Sequence, residues 1–394
     1  MDMIHNNPDT IIQTNRLDRG FFKYQEEFES KALSVLRSGW YILGEEVSSF
    51  EKEFAAFTGA KYCVGVGNGL DALTLAFRAL GIGPGDEVIV QGNTYIASVM
   101  GVTINGATPV FTEPDEFFNL DENRIEEKIT EKTKAVLAVH LYGQATKMDK
   151  IVSICKKHGL KLVEDSAQSH GARFFNAAVS PSQTGGGATD TASASGTGKT
   201  TGTFGEIGCF SFYPSKNIGA FGDGGCIVTD DPKIDRTIRT LRNYGSEKRY
   251  YNEVVGVNSR LDELQAGLLR VRLSHAEELN EEKKRLAARY DEGINNDVII
   301  KPKKRDGCEH IYHQYVIRCE KRDELASYLK EKGIMTIIHY PIPPHLSKAY
   351  TYLGYEKGSL PITERLADTV LSIPMYNGLT EEEQDRVITA LNEF

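Results

Sequence analysis

Residues 62–90 read YCVGVGNGLDALTLAFRALGIGPGDEVIV, and this stretch decides the fold class. Tyr62–Val66 is a short β-rich run that breaks into the glycine turn Gly65–Asp71. Leu70, Leu73, Phe77 and Leu80 then fall on one face of a helix over Leu70–Leu80. Glu87–Val90 is a second β-run, so strand, helix and strand follow one another as a βαβ unit. The rhythm continues through Pro109–Thr112, Ala135–Val139, the helix Lys150–His158 closed by Gly159, and Leu160–Glu164. Ile207–Phe212 and Gly225–Thr229 complete the set. The expectation is an α/β fold, a mainly parallel seven-stranded sheet flanked by helices.

Beyond this the pattern changes. Leu261–Tyr290 reads as one long helix, apolar at Leu261, Leu264, Leu268 and Val271 and charged beyond His275. Strands are expected at Ile311–Arg318 and Met335–His339, and helices at Asp323–Lys332 and Glu364–Leu371. Thr380-Glu-Glu-Glu383 is a capping box opening a last helix. These elements give two domains. Residues 1–279 form an N-terminal arm with a large domain, and residues 280–394 form a smaller C-terminal α+β domain. Residues 176–198, NAAVSPSQTGGGATDTASASGTG, hold only one valine among small and polar residues and read as a flexible insertion. The GTGKT at its end lacks the P-loop spacing and a preceding strand.

Composition narrows the function. The 394 residues carry 55 acidic and 46 basic side chains, for a net charge of −9. That balance argues against a nucleic-acid binder, while leaving room for a local basic pocket. Six cysteines are dispersed without ligand spacing, which points to reduced core thiols, a cytoplasmic protein and no metal site. No run approaches a membrane span, so no membrane partner is expected.

Four sites carry the chemistry. Phe210-Ser-Phe-Tyr-Pro-Ser-Lys-Asn217 puts Lys216 just past a strand end, where a lysine can project into the cleft at a sheet's carboxyl edge. The amides of Gly69 and Leu70 stand at a helix N-terminus, ready for an anion. Asp165, in Leu162-Val-Glu-Asp-Ser-Ala-Gln-Ser-His170, ends an apolar strand, where it is either solvated at the strand tip or held in the cleft to pair with a cation. Tyr95, in Asn93-Thr-Tyr95, could cap a flat ring. A lysine for an imine, an anion cradle, a carboxylate for a ring nitrogen and a flat contact together suit pyridoxal 5'-phosphate.

The ordered set GNGLDAL, NTYIAS, VEDSAQSHGA, FSFYPSKN, FGDGG and NSRLDELQA resembles the nucleotide-sugar aminotransferases of the DegT/DnrJ type, of fold-type I, from about Arg19 to the C-terminus. The resemblance implies that Lys216 is the Schiff-base lysine, Asp165 the partner of the pyridine nitrogen and Tyr95 the ring-stacking residue. It implies that Gln168 bonds near the cofactor's 3-hydroxyl, and that Gly69, Leu70 and Ser211 bind its phosphate. Asn258 would be a phosphate ligand contributed by the second subunit of a homodimer with shared active sites; the plainer reading is that it caps a helix beginning near Ser259. RSGWYILG, QGNTYIAS and IHYPIPPH look most like enzymes that aminate C3 of a dTDP-linked 3-keto-6-deoxyhexose, with L-glutamate as donor. The alternatives are a C4-specific nucleotide-sugar aminotransferase and a non-catalytic regulator that binds a sugar nucleotide.

Overall fold

The apolar runs of residues 62–229 are buried on both faces, as a sheet covered by helices requires. The structure, a computed structural model, describes residues 11–175 and 198–394. Helices α1 (Leu17–Phe22), α2 (Gln25–Ser38) and α3 (Glu45–Thr58) come first. Then follow β1 (Tyr62–Val66), α4 (Gly69–Ala79), β2 (Glu87–Gln91), α5 (Ile96–Thr103), β3 (Thr108–Thr112), β4 (Thr133–Val139), α6 (Met148–His158) and β5 (Lys161–Asp165). The pair β6 (Arg173–Phe174) and β7 (Lys199–Thr200) precedes β8 (Ile207–Ser211), β9 (Gly225–Thr229) and α7 (Pro232–Leu241).

Seven strands form one sheet in the order β1-β9-β8-β5-β4-β2-β3. Pairings β3–β2, β2–β4, β4–β5 and β5–β8 are parallel, while β9 is antiparallel to both β8 and β1. Two antiparallel steps restore direction, so β1 runs with β8. The carboxyl ends of six strands therefore share one edge, and Gly225 at the start of β9 pairs there with both Val66 and Ser211. This edge is where an open α/β sheet places its ligand. The expected mainly parallel seven-stranded sheet is what the chain forms.

Helix starts follow the capping residues in the sequence. Asn68 accepts from the amide of Asp71 at 2.8 Å and starts α4. Asp231 caps α7 ahead of Pro232 at its first position. A small two-stranded unit, β10 (Ser246–Lys248) and β11 (Tyr251–Asn252), precedes α8 (Glu263–Ser274) and α9 (Ala276–Gly293). The C-terminal part holds β12 (Tyr315–Arg318), α10 (Arg322–Glu331), α11 (Pro361–Thr369), β13 (Val370–Ile373) and α12 (Glu381–Glu393). Many of its apolar side chains gather in a cluster around Tyr290, Tyr315, Leu325, Leu371 and Val387, joined by Ile12 from the N-terminal arm, while Val316, Tyr350, Leu360, Leu366 and Val370 pack into the core of the large sheet. Thr380 and Glu383 form the expected capping box at the start of α12.

Three expectations are corrected. The single helix over Leu261–Tyr290 is two helices, because the chain turns at His275, whose ring stacks on Tyr24 at 3.8 Å. The turn lets α8 pack against α2 and α3 while α9 presents Ala287 and Tyr290 to the C-terminal cluster. Met335–His339 forms no strand; it makes one isolated bridge, Ile337 to Ser372, before Pro341, Pro343 and Pro344 remove the donors a ladder needs. The expected helix Glu364–Leu371 starts at Pro361 and ends at Thr369, and Val370–Ile373 is instead a strand pairing with Tyr315–Arg318. Of the insertion 176–198, residues 176–197 lie outside the described residues. Among the described residues no helix is long and apolar enough to cross a membrane.

Candidate active site

Neighbouring side chains on a strand point to opposite faces, and the end of β5 uses both. Glu164 is fully buried and accepts from the amides of Gly202 (2.8 Å), Phe204 (2.6 Å) and Gly205 (2.8 Å) and from His140 Nε2 (2.9 Å). His140 Nδ1 in turn accepts from the Thr146 amide at 3.1 Å, which leaves the proton on Nε2. Glu164 is thus structural. Asp165, 6% exposed, turns the other way; its Oδ2 accepts from Ser98 Oγ at 2.7 Å and its Oδ1 from the Ala167 amide at 3.1 Å.

β8 delivers Ser211 and, past a tight turn, Lys216, whose amide bonds the Tyr213 carbonyl at 2.8 Å. The turn is shaped by Gly219, where a Cβ would lie 2.3 Å from the Pro214 carbonyl oxygen. The next side chain, Asn217, is clamped. Its amide donates to Asn280 Oδ1 (2.8 Å) and the Ile311 carbonyl (3.3 Å), and its oxygen faces His313 Nδ1 (3.1 Å) and the Lys283 ammonium (3.4 Å). Burial lowers the Lys216 amine to about 8, against the attraction of Asp165. Burial lowers Lys283 to about 7 and His339 to about 4, so the surroundings of Lys216 carry little fixed positive charge above neutral pH.

The anion cradle forms where α4 meets the ends of β8 and β9. A Cβ on Gly69 would lie 2.6 Å from Ser211 Cβ, so glycine is what lets these two elements touch. The amides of Gly69 and Leu70, at the first positions of α4, make no hydrogen bond among the described residues. The Ser211 hydroxyl receives only a long 3.3 Å bond from the Tyr213 amide, leaving its own proton to donate. Ser259 ties the cradle down, donating to Asp71 Oδ2 at 2.6 Å and accepting from the Gly67 amide at 3.0 Å.

Tyr95 sits just before α5 and is half exposed, with its ring 5.0 Å from that of Tyr340. Gln168 accepts from the Tyr142 amide at 2.6 Å and donates to Tyr340 Oη at 3.2 Å. Tyr142 itself sits at φ +60°, an uncommon conformation outside glycine, and its hydroxyl bonds the His339 carbonyl. The structure thus gathers Gly69, Leu70 and Ser211 in one cradle, sets Lys216 within the field of Asp165, and joins Tyr95 to Gln168 through Tyr340. Asn258 makes no hydrogen bond to any of these residues, although its neighbour Ser259 does tie down the cradle. It is exposed, its backbone bridges Asn243, and it caps no helix, since α8 starts at Glu263 behind Asp262.

Sequence reading passed over Ser98, Tyr142, Tyr340 and Asn217. Ser98 lies three residues after Tyr95, one helical turn along the same face, and that spacing was the available signal. Among the described residues no group of three or more His, Cys, Asp and Glu side chains could hold a metal ion.

The donors and charges fit pyridoxal phosphate: unused amides and a hydroxyl at a helix start, a buried carboxylate with its own hydrogen-bond support, and a lysine with a depressed pKa. Fold and site together define a transaminase of fold-type I. The chain belongs to the DegT/DnrJ/EryC1/StrS aminotransferase family, which matches residues 23–392 and whose aminotransferases depend on pyridoxal phosphate. It is 47% identical over 373 residues to the dTDP-3-amino-3,6-dideoxy-alpha-D-galactopyranose transaminase of Aneurinibacillus thermoaerophilus, covering 94% of this chain and 96% of that protein. It is 43% identical over 380 residues to the dTDP-3-amino-3,4,6-trideoxy-alpha-D-glucose transaminase of Streptomyces venezuelae, covering 96% and 94%. The crystal structure of S. venezuelae DesV in complex with a ketimine intermediate superposes with a TM-score of 0.90 at 43% identity, covering 97% of this chain and 98% of that one.

Proposed function

We propose that the enzyme transfers an amino group from L-glutamate to C3 of a dTDP-linked 3-keto-6-deoxyhexose, in deoxyamino-sugar biosynthesis in the cytoplasm. The observation that carries this reading is the pairing of Lys216 and Asp165 beside the Gly69–Leu70–Ser211 cradle, in a chain whose relatives make 3-amino sugars on dTDP. The six cysteines are buried and unpaired, as a reducing compartment allows.

Bound there, pyridoxal phosphate supplies an electron sink for the carbon that loses its proton. Gly69 and Leu70 hold the phosphate by their amides and Ser211 by its hydroxyl. Tyr95 covers one face of the ring, and Gln168 bonds near its 3-hydroxyl. Asp165 keeps a proton on the ring nitrogen by offering a negative charge beside it. Lys216 would anchor the cofactor and, when its amine is free, would serve as the base that holds and returns the proton. An amine near pKa 8 suits that work at neutral pH, because both of its forms are accessible. Asn258 supplies one more phosphate donor to the partner's site in a homodimer. The large unit, residues 1–279, and the smaller one, residues 280–394, meet at this cleft, and the separate apolar cluster of the latter supports the division.

A panel assay tests the substrate. Purified enzyme with glutamate should aminate 3-keto dTDP-sugars at least tenfold faster than 4-keto ones; the reverse order would transfer the reading to C4. Turnover of neither sugar would favour a binding role alone.

A further inference from the structure

We propose that Ser98, fixed by Thr94, is a positioning residue for the transamination, its hydroxyl holding the Asp165 carboxylate toward the cofactor's ring nitrogen. The inference rests on the cofactor reading above and adds a residue to it. Thr94 and Ser98 are each 1% exposed. Thr94 Oγ1 and Ser98 Oγ lie 2.7 Å apart, and Ser98 Oγ donates to Asp165 Oδ2 at 2.7 Å.

The chemistry sets the direction of this chain. An ionised carboxylate can only accept, so Ser98 must give its one proton to Asp165. Ser98 oxygen is then left as an acceptor, and Thr94 must donate to it. Each hydroxyl is used once, and the run ends on the charge.

The helix supplies the register. Ser98 lies in the first turn of α5, its amide bonded to the Tyr95 carbonyl at 3.1 Å. One helix start therefore aims both the ring contact and the support of the aspartate. Other groups around Asp165 do different work. Lys216 and Tyr340 face it as charge and phenol, Cys209 from β8 is kept a thiol by burial, and Glu164 points to the other face with its own four donors. Among the described residues Ser98 is the one side chain that donates a hydrogen bond to Asp165; without it the Ala167 amide alone would hold the carboxylate, whose terminal torsion is intrinsically broad.

The test uses purified enzyme stripped of cofactor and titrated with pyridoxal phosphate. Dissociation constant, visible band and its pH dependence, kcat, KM for glutamate and the thermal midpoint of the stripped protein are followed. Ser98→Ala should raise the cofactor dissociation constant about tenfold and lower kcat by a similar factor, the worth of one charge-assisted hydrogen bond. KM should stay within about twofold, because the lost contact acts on the reacting complex. The pH midpoint of the band should move. Ser98→Thr should recover most of the loss, and the isosteric Thr94→Val should shift every readout the same way by a smaller factor. Asp165→Asn marks the largest effect.

Wild-type constants and band in Ser98→Ala would overturn the proposal, as would losses that follow the thermal midpoint and are not rescued by threonine. Should Ser98→Ala not fold, Thr94→Val decides, since an unchanged band and dissociation constant there overturn it equally. A wild-type protein with no borohydride-sensitive visible band would instead refute the cofactor reading itself.

Discussion

The carboxyl edge of the sheet and the loop leading to Asn258 each contribute to the proposed site, yet they are built in opposite ways. At the edge the side chains come from strand ends, helix starts and the turn after β8, and several are held by buried partners. Asp165 has Ser98 and Ala167, and the residue after Lys216 has Asn280, His313 and Lys283. The loop is held by its own short β10–β11 pair and one isolated bridge, Asn243 to Asn258, and it carries Tyr250 at 81% and Val255 at 88% exposure. A protein seldom leaves such side chains together in water without a use for them. In the proposed homodimer one region is complete within a single chain, and the other would serve the site of a second copy.

The most severe way to break the complete region is Lys216→Ala. Transamination should fall by several orders of magnitude, because no other amine can take its place; near-wild-type turnover would end the assignment. The visible band, about 400–430 nm for a protonated imine, should vanish with it.

The incomplete region predicts a different failure. Asn258→Ala should weaken cofactor retention by about 1–2 kcal/mol if the lost bond is charge-assisted. When Lys216→Ala and Asn258→Ala chains are mixed and subunit exchange is verified, each heterodimer should hold one intact site, so activity should exceed that of either parent. A mixture that never surpasses the better parent contradicts the sharing of sites.

A pH titration sharpens the contrast from the buried side. Burial disfavours the Lys216 ammonium, so in the cofactor-free protein half of the amine is neutral near pH 8 and not near 10.5. The rate of pyridoxal phosphate capture should rise with pH along a curve centred near 8. A midpoint near 10.5 would mean a solvated amine. The same shift makes the folded protein release this proton before the unfolded chain does. The lysine's contribution to stability is therefore least favourable below about pH 8 and recovers toward 10.5.

The smallest effect is expected from deleting residues 177–197. Phe174 already pairs with Lys199, so the two sides of the cut stand next to each other. Stability should change by less than about 1 kcal/mol, read by denaturant unfolding, with kcat unaltered. A larger loss would give the segment a structural role.

The same contrast explains what could be read in advance. The edge residues obey local rules: strand, turn and helix follow apolar period and glycine placement, so Gly69, Leu70, Asp165 and Lys216 stand out in the bare sequence, while Ser211 enters through the family resemblance. Long-range partners leave no such trace. Gln168 meets Tyr340 across 172 residues, and His275, at the bend, stacks on Tyr24, about 250 residues earlier in the chain. A helical period does not announce contacts between residues so far apart in the chain. Asn258 was found through its motif and not through any pattern of burial, since it has neither a strand nor a cap to mark it.

Glu164 has a consequence for how motion is partitioned. Its carboxylate grips three backbone amides within four residues, those of Gly202, Phe204 and Gly205, between the paired residues Lys199–Thr200 and the start of β8. Charge-assisted bonds to buried amides are among the stiffest a protein makes. They act as a mooring: they fix the chain between Lys199 and the strand that carries Ser211 and leads to Lys216. Sequence can therefore be gained or lost on one side of the mooring while the reaction geometry on the other side is kept.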